Sequence, residues 1–551
     1  MDGSSSTAIS YAHGASPVPL LGQTIGDNLR TIVSKFGDKE ALVVRSQNYR
    51  ATYRQLWDAT TVAARGLLAL GVAAGDRVGI WATNCYEWVV TQYATARIGA
   101  ILVNINPAYQ ANELEYVLCQ AGVRVLLHGR GFRQTLYAPM LDSVRPRCPD
   151  LQHVFSLETD WDDLLQSGQK VTIAELERRE AELQCDDSIN IQYTSGTTGS
   201  PKGATLTHHN ILNNGYFIGL ALGYGEHDRV CIPVPLYHCF GMVLGNLACT
   251  AHGACMVYPS ECFNAATVLQ TVHAERCTSL YGVPTMFRAI LEHPEFDNFD
   301  CTSLRTGIMA GAPCPIELMK QVVERLHMPQ VAIGYGMTET SPISTLSALD
   351  DPLDRRVSTV GRVQPHLEIS VREPGTGRFV PRGVAGEFCT RGYSVMRGYW
   401  NDEAATNAAI DAAGWMHSGD LAVMEESGYV HIVGRLKDMI IRGGENISPR
   451  EIEEVLVTHA DVSEAQVIGV PSRKYGEEVM AWVRPRPGAS PSEEELKAYC
   501  LSRLAAFKVP RYWRCVETFP MTVTGKIQKY RLRQMAIEFL GLQSAAAEKT
   551  A

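Results

Sequence analysis

The chain has 551 residues, 45% hydrophobic and 20% charged, with a net charge of -9. That length exceeds one core and calls for two or three domains of ordinary globular composition. The negative balance, with no basic run, excludes a nucleic-acid coat, so anionic ligands must be gripped by local sites.

No lysine or arginine precedes Arg30, which excludes a usual signal peptide and an arginine-rich transit peptide. ALVVRS (41–46) and DRVGIWA (76–82) read as strands. TYRQLWDATTVAARGLLALG (52–71) reads as an amphipathic helix with a glycine stop. VRVLLHG (123–129) and KVTIAEL (170–176) extend the pattern as strand and strand–helix pieces. Such alternation points to α/β layers. Residues 230–260 carry no charge apart from histidines, but Pro233, Pro235, Asn246 and several glycines without cationic flanks predict a buried strand and helix, not a membrane span.

The 15 cysteines include no C-x-x-C pair. A structural zinc site is therefore not expected, and the scatter fits a reducing, cytoplasmic setting. Charged residues become denser from Arg435 onward, as in a smaller, surface-rich domain. There EAQVIGV and EEVMAWVRP read as strands. Ser448 is expected to cap PREIEEVLVTH, with Pro449 at its first turn. Ser490 is expected to cap PSEEELKAYCLSRL, whose Leu496, Tyr499, Cys500 and Leu504 share a face. The tail QSAAAEKTA reads as frayed.

The segment TSGTTGSPKG, from Thr194 to Gly203, concentrates glycine and hydroxyl groups around Lys202. It fails as a Walker P-loop, because Pro201 precedes the lysine and Gly203 follows it. Its chemistry still suits a phosphate cradle. Gly196, Gly199 and Gly203 let backbone N–H groups face a ligand, Ser195, Thr197 and Thr198 add hydroxyls, and Lys202 adds charge.

In order along the chain follow PLYHCFG (235–241), GYGMTET (334–340), HSGDLA (417–422), GRLKDMIIRGGENISPREIE (434–453) and TGKIQK (524–529). With the glycine-hydroxyl loop, these blocks resemble the adenylate-forming enzymes: acyl-CoA synthetases, luciferases and peptide-synthetase adenylation domains. The likeness runs from about Thr24 to about Leu540. Within that superfamily RGYSVMRGYW, KDMIIRGGENI and FPMTVTGKIQK look most like fatty acyl-CoA synthetases of the acyl-CoA synthetase family member 2 type. The resemblance implies an α/β fold. A large N-terminal domain (1–434) of αβ-layered subdomains with a β-barrel-like piece would join, at a hinge (435–437), a small mobile C-terminal α+β lid (438–551).

It also implies roles. Thr194, Ser195, Gly196, Thr197, Thr198, Gly199 and Lys202 would hold the triphosphate of ATP, and Thr198 and Glu339 would hold Mg²⁺, with Thr338 beside them. Tyr335 and Gly336 would receive adenine against Gly311, Ala312 and Pro313. Asp420 would accept from the ribose hydroxyls, and Arg435 would reach ribose or phosphate. Lys526 would bridge the attacking carboxylate and the α-phosphate. His238, Phe240 and Gly241 would line the acyl pocket. Lys437 would serve as pivot, and Gly443, Gly444 and Glu445 would shape the path of the CoA arm.

The implied reaction makes acyl-AMP and pyrophosphate from a carboxylate and ATP, then acyl-CoA and AMP from CoA. Adenylation domains for amino acids place an aspartate after the position of His238; here the chain reads CFGMVLG. An unpaired buried ammonium costs several kcal/mol, so amino acids are disfavoured. Eight buried methylenes gain about 6 kcal/mol before ordering costs, which suits a medium- to long-chain fatty acid. Aryl or short branched acids, and loading of a carrier protein instead of CoA, stand as alternatives. A nucleotide-binding regulator without chemistry is disfavoured by Lys526, Glu339 and Thr338. The expected partners are small molecules, with a homodimer and peripheral membrane contact left open.

Overall fold

The computed structural model describes residues 8–194, 201–312, 314–442, 445–521 and 527–543, with the side chain of Asn446 excepted. They fall into two compact units. One comprises Ala12–Ile369 and Thr390–His417; the other takes in the N-terminal segment through Tyr11, Ser370–Cys389 and the chain from Ser418 onward.

The larger unit is built on two sheets. The first has seven strands in the order Gly398–Tyr399, Lys202–Thr207, Ser188–Thr194, Ile101–Asn104, Arg77–Trp81, Val123–His128 and His153–Ser156. From Ser188–Thr194 outward to His153–Ser156 the strands are parallel; Lys202–Thr207 folds back antiparallel on Ser188–Thr194. The second has nine strands, with parallel neighbours Gln330–Gly336, Thr306–Ala310, Ser279–Gly282, Arg229–Cys231, Cys255–Tyr258 and Glu40–Val44 at its centre. Parallel strands need both faces covered. The helix Tyr86–Ile98 meets that need: every residue from Glu87 to Ile98 is buried, as an all-round apolar-packed helix must be. The helix Tyr53–Ala69 starts where Thr52 and Gln55 form a reciprocal capping box.

Two segments differ from the sequence expectation. KVTIAEL contains no strand: Gly168–Lys170 is a short 3₁₀ turn, and Thr172 with Glu175 caps a helix over Ile173–Ala181. The capping box outweighs the β-branched residues there. The apolar stretch 230–260 does contain strands, Arg229–Cys231 and Cys255–Tyr258, but its helical part opens into a π-helical turn at Met242–Leu247. Among the described residues no helix is long and apolar enough to cross a membrane.

In the second unit, strands Glu445–Ile447, Ile440–Arg442, Gly476–Pro485 and Val462–Ser472 form a sheet, with Tyr512–Cys515 parallel to Gly476–Pro485. Strand alternation sends Val479, Ala481 and Val483 to one core with Ile452, Leu456, Leu496 and Cys500. It sends Met480 and Trp482 to the other, with Phe519, Leu532 and Ala536. Helices therefore cover both faces. The β-rich piece that the resemblance implies is a five-stranded sheet in the order Tyr11–His13, Leu367–Arg372, Gly386–Gly392, Met416–Met424 and Val430–Arg435.

Helix starts here also correct the sequence reading. The helix Glu493–Leu501 is capped by Ser492, whose hydroxyl accepts from the Glu495 N–H at 3.2 Å, and not by Ser490. Ser492 wins because it alone has a glutamate three residues on that returns to its own N–H, at 2.8 Å. Ser448 does stand at the start of Pro449–Val457, but its hydroxyl donates to the Val433 carbonyl at 2.8 Å and makes no cap bond. Ser492→Ala should cost the small sheet domain about 1 kcal/mol and Ser490→Ala less than about 0.5 kcal/mol. Hydrogen-exchange protection of amides 494–496 measures the difference.

Candidate active site

The antiparallel pair Ser188–Thr194 and Lys202–Thr207 brings Thr194 opposite Lys202. The ends of the glycine-hydroxyl segment are thereby pinned side by side at a strand end. Ser195, Gly196, Thr197, Thr198 and Gly199 themselves lie outside the described residues. Beside this mouth sits Glu339, on the 3₁₀ turn Thr338–Thr340, only 5% exposed. Its Oε1 accepts from the Tyr399 hydroxyl at 2.8 Å and from Thr194 Oγ1 at 3.4 Å. Lys202 Nζ stands 5.0 Å from the centre of the Tyr399 ring, a cation–π distance. Burial first, and then the Glu339 charge, push the Tyr399 phenol far above its ordinary range. Tyr399 therefore stays a hydrogen-bond donor. Among the described residues no lysine or arginine pairs with Glu339, so a buried carboxylate is held by hydroxyls alone. Hard oxygen donors around an uncompensated negative charge suit a magnesium ion.

The residues that the resemblance assigns to adenine lie on neighbouring parallel strands. Ala310 pairs with Gly334, so Gly311 and Ala312 leave one strand where Tyr335 and Gly336 end the next. The carboxyl ends of parallel strands are the usual ligand crevice of such sheets. Gly311 has φ +85°, a left-handed turn that glycine adopts freely. At Gly336 a Cβ would stand 1.8 Å from the Pro342 carbonyl oxygen, so a side chain there is sterically barred. Tyr335 is half-buried, while Gly311, Ala312 and Gly336 are exposed. Thr338 is buried beside Glu339, and Pro313 lies outside the described residues.

His238 opens the turn Cys239–Gly241, its Nδ1 accepting from the Phe240 N–H at 3.4 Å. Phe240 and Gly241 are buried, and Phe240 packs against Tyr281 with ring centres 5.6 Å apart. A line of buried amides braces this wall from behind. Asn104 Nδ2 donates to the Tyr237 carbonyl at 3.1 Å, and Asn190 Nδ2 to Asn104 Oδ1 at 3.0 Å. Gln192 Nε2 donates to Asn190 Oδ1 at 2.9 Å, and the Cys239 thiol to Gln192 Oε1 at 3.2 Å. Gln92 Nε2 reaches the Met242 carbonyl inside the π turn at 3.1 Å. The amides behind the wall are thus satisfied, as buried polar groups usually are, while the Tyr237 hydroxyl is buried without a partner among the described residues.

In the other unit, Asp420 and Arg435 face one another across antiparallel strands, and Arg435 Nε donates to Asp420 Oδ1 at 2.9 Å. Lys437 is exposed in the 3₁₀ turn Leu436–Asp438. Glu445 is exposed and begins a strand, opposite Arg442. Gly443, Gly444 and Lys526 lie outside the described residues.

Sequence reasoning passed over Tyr399, which lies inside the quoted RGYSVMRGYW block. Its strand, Gly398–Tyr399, pairs with Lys202–Thr207, and only that pairing brings the phenol to Glu339. Gln120 was missed likewise; it donates to the Trp400 carbonyl at 2.6 Å and accepts from the Tyr193 hydroxyl. Neither residue carries a local signal.

The AMP-binding enzyme profile matches residues 29–400, and the profile of the AMP-binding enzyme C-terminal domain matches residues 451–526. The chain belongs to the AMP-binding enzyme family and, within it, to the acyl-CoA synthetases. YngI of Bacillus subtilis (strain 168), an acyl-CoA synthetase by name, is 48% identical over 546 residues, covering 96% of this chain and 99% of that protein. The mitochondrial medium-chain acyl-CoA ligase ACSF2 of Danio rerio is 42% identical over 554 residues, covering 97% and 91%. Among solved structures, the anthranilate CoA ligase AuaEII in complex with anthranoyl-AMP superposes with a TM-score of 0.83 at 28% identity, covering 94% of this chain and 98% of that one.

A hydrogen bond to a charged group contributes about 1.5–3 kcal/mol. Tyr399→Phe should therefore lower ATP-dependent pyrophosphate release about 10- to 100-fold and leave the circular dichroism spectrum unchanged. Activity within threefold of the parent would show that Thr194 alone orients Glu339.

Proposed function

We propose that the protein activates medium- to long-chain fatty acids. The chain is an ATP-dependent acid–CoA ligase, the activity of its class, and ATP and CoA are its co-substrates. The choice of acid rests on the wall that starts at His238. It is buried, its amides are turned inward to one another, and no aspartate or glutamate stands among residues 235–247. Such a wall pairs no ammonium and takes an alkyl chain at about 0.8 kcal/mol per methylene. The medium-chain name of the ACSF2 relatives points the same way.

The first half-reaction sets a carboxylate on the α-phosphate. The P–O bond to pyrophosphate breaks as the acyl-O–P bond forms. Two unit charges 4 Å apart repel by about 4 kcal/mol at an effective dielectric of 20. The chain must offset that repulsion at the point of attack. Lys202 and the hydroxyls of residues 194–198 grip the triphosphate. Glu339, fixed by Tyr399, and Thr198 would hold Mg²⁺, which when bound neutralises phosphate charge. Tyr335 covers adenine, Asp420 accepts from the ribose, and Arg435 steadies both. Lys526, from the C-terminal domain, would bridge carboxylate and α-phosphate. No general base is required, since the acid is already ionised near neutral pH.

In the second half the CoA sulfur attacks the acyl carbonyl and AMP leaves. The C-terminal domain turns about residues 435–437, withdraws Lys526 and presents Gly443, Gly444 and Glu445 to the pantetheine arm. Free cysteines, such as the exposed Cys119 and Cys262, fit a reducing, cytoplasmic setting.

Lys526→Ala should abolish acyl-AMP formation and spare thioester formation from supplied acyl-AMP. Lys437→Pro should do the reverse. Equal loss of both steps in either variant refutes the division of labour. A panel of acids from acetate to palmitate, with benzoate, scored by AMP release with CoA present, should peak at eight carbons or more. A peak at benzoate or a short branched acid favours the aryl or branched reading. Pyrophosphate release without thioester formation favours carrier loading.

A further inference from the structure

Cys119 lies in the last turn of the helix Ala111–Ala121, and Cys148 follows the turn Arg145–Arg147. Their sulfur atoms are 3.6 Å apart. Cys119 is exposed and Cys148 is 4% exposed. The two segments are held in register by Glu115, one helical turn before Cys119. It accepts from Arg147 at 2.9 and 2.7 Å. The Cys119 thiol also points at the Arg147 carbonyl, at 3.3 Å. Cys231 and Cys277 also interact, but both are fully buried and closed to an oxidant. Cys119 and Cys148 thus combine an accessible sulfur with a sheltered partner at contact distance. That is the arrangement of an attacking and a resolving thiol.

The next residue along the helix is Gln120, whose amide joins the Tyr193 hydroxyl to the Trp400 carbonyl. Tyr193 pairs with Gly203 next to the Thr194–Lys202 pair, and Trp400 follows Tyr399. Gln120 thus ties the helix end at Cys119 to the strand ahead of Thr194 and to the residue after Tyr399.

We propose that Cys119 and Cys148 form a redox pair, closed to a disulfide by hydroperoxides, that weakens ATP binding by displacing Gln120. The Cys119 sulfur attacks the peroxide, the O–O bond breaks, and Cys119 sulfenic acid and an alcohol (or water) form. The Cys148 sulfur then displaces hydroxide from that sulfur, and its proton leaves with the hydroxide as water. Two thiols lose two electrons and two protons; the hydroperoxide gains them. Closing the sulfurs from 3.6 Å to about 2.05 Å is shared between side-chain rotation and movement of the two segments. The part taken up by the helix end falls on the hydrogen bonds of the adjacent Gln120, which weaken steeply with distance and angle.

The test uses the full chain, hydrogen peroxide as oxidant, non-reducing digestion with mass spectrometry, and ATP-dependent pyrophosphate release. Peptides bearing residues 119 and 148 should appear joined and two hydrogens lighter. The ATP concentration for half-maximal rate should rise at least threefold and return with dithiothreitol. Cys119→Ser should fold, keep its activity under peroxide and yield no joined peptide; Cys148→Ser should yield none either. A Cys119 sulfinic acid beside an unmodified Cys148 overturns the proposal, as does a disulfide that leaves the ATP dependence unchanged. The mass readout is independent of which acid the enzyme uses.

Discussion

Among the described residues, a carboxylate buried with no paired lysine or arginine is the feature around which this part of the larger unit is organised. Glu339 is almost wholly removed from water, and its charge is held by the hydroxyls of Tyr399 and Thr194. Taking a carboxylate out of water costs several kcal/mol, and two hydroxyl bonds offset only part of that. The remainder is available to a bound cation. Each neighbour follows from this need. Thr194 ends the strand that opens the glycine-hydroxyl segment, Tyr399 is delivered by a two-residue edge strand, and Lys202 rests over the face of the same ring. The Glu339 cluster is thus suited to a bound cation.

The wall that starts at His238 is constructed on the opposite principle. Asn104, Asn190, Gln192 and Cys239 link to one another in a line behind it, and Asn104 also holds the Tyr237 carbonyl. A satisfied network stiffens a core without offering charge. The same strand, Ser188–Thr194, serves both ends: Asn190 and Gln192 brace the wall after His238, and Thr194 touches Glu339. The wall and the Glu339 cluster are therefore joined by one strand.

How much of this was legible beforehand depended on whether the signal was local. The strands ALVVRS and DRVGIWA and the helix after Thr52 carry their information in adjacent residues, and the structure has strands over Glu40–Val44 and Arg77–Trp81 and a helix over Tyr53–Ala69, with Arg45–Gln47 passing into a 3₁₀ turn. Tyr399, Gln120 and the amide line do not. They acquire meaning only when strands distant in sequence pair, and a tyrosine in a Gly-Tyr-Trp run has no periodicity to mark it. The π turn at Met242–Leu247 escaped for a related reason: an apolar run looks the same whichever helical hydrogen bond it makes. The cap at Ser492 shows local information outvoted by better local information, since Glu495 chooses between two serines equal in propensity but not in reach.

The π turn has a consequence for how such a wall can change. A turn of that kind carries one residue more than the α-helical turn it replaces. Everything from Ala248 onward is consequently rotated by roughly 100° relative to an uninterrupted helix. Loss of a single residue between 242 and 247 would restore the ordinary pitch and swing a different set of side chains toward Phe240. A wall of this kind can therefore be reshaped by changing the count of residues while their chemistry stays apolar, a route that substitution tables do not register.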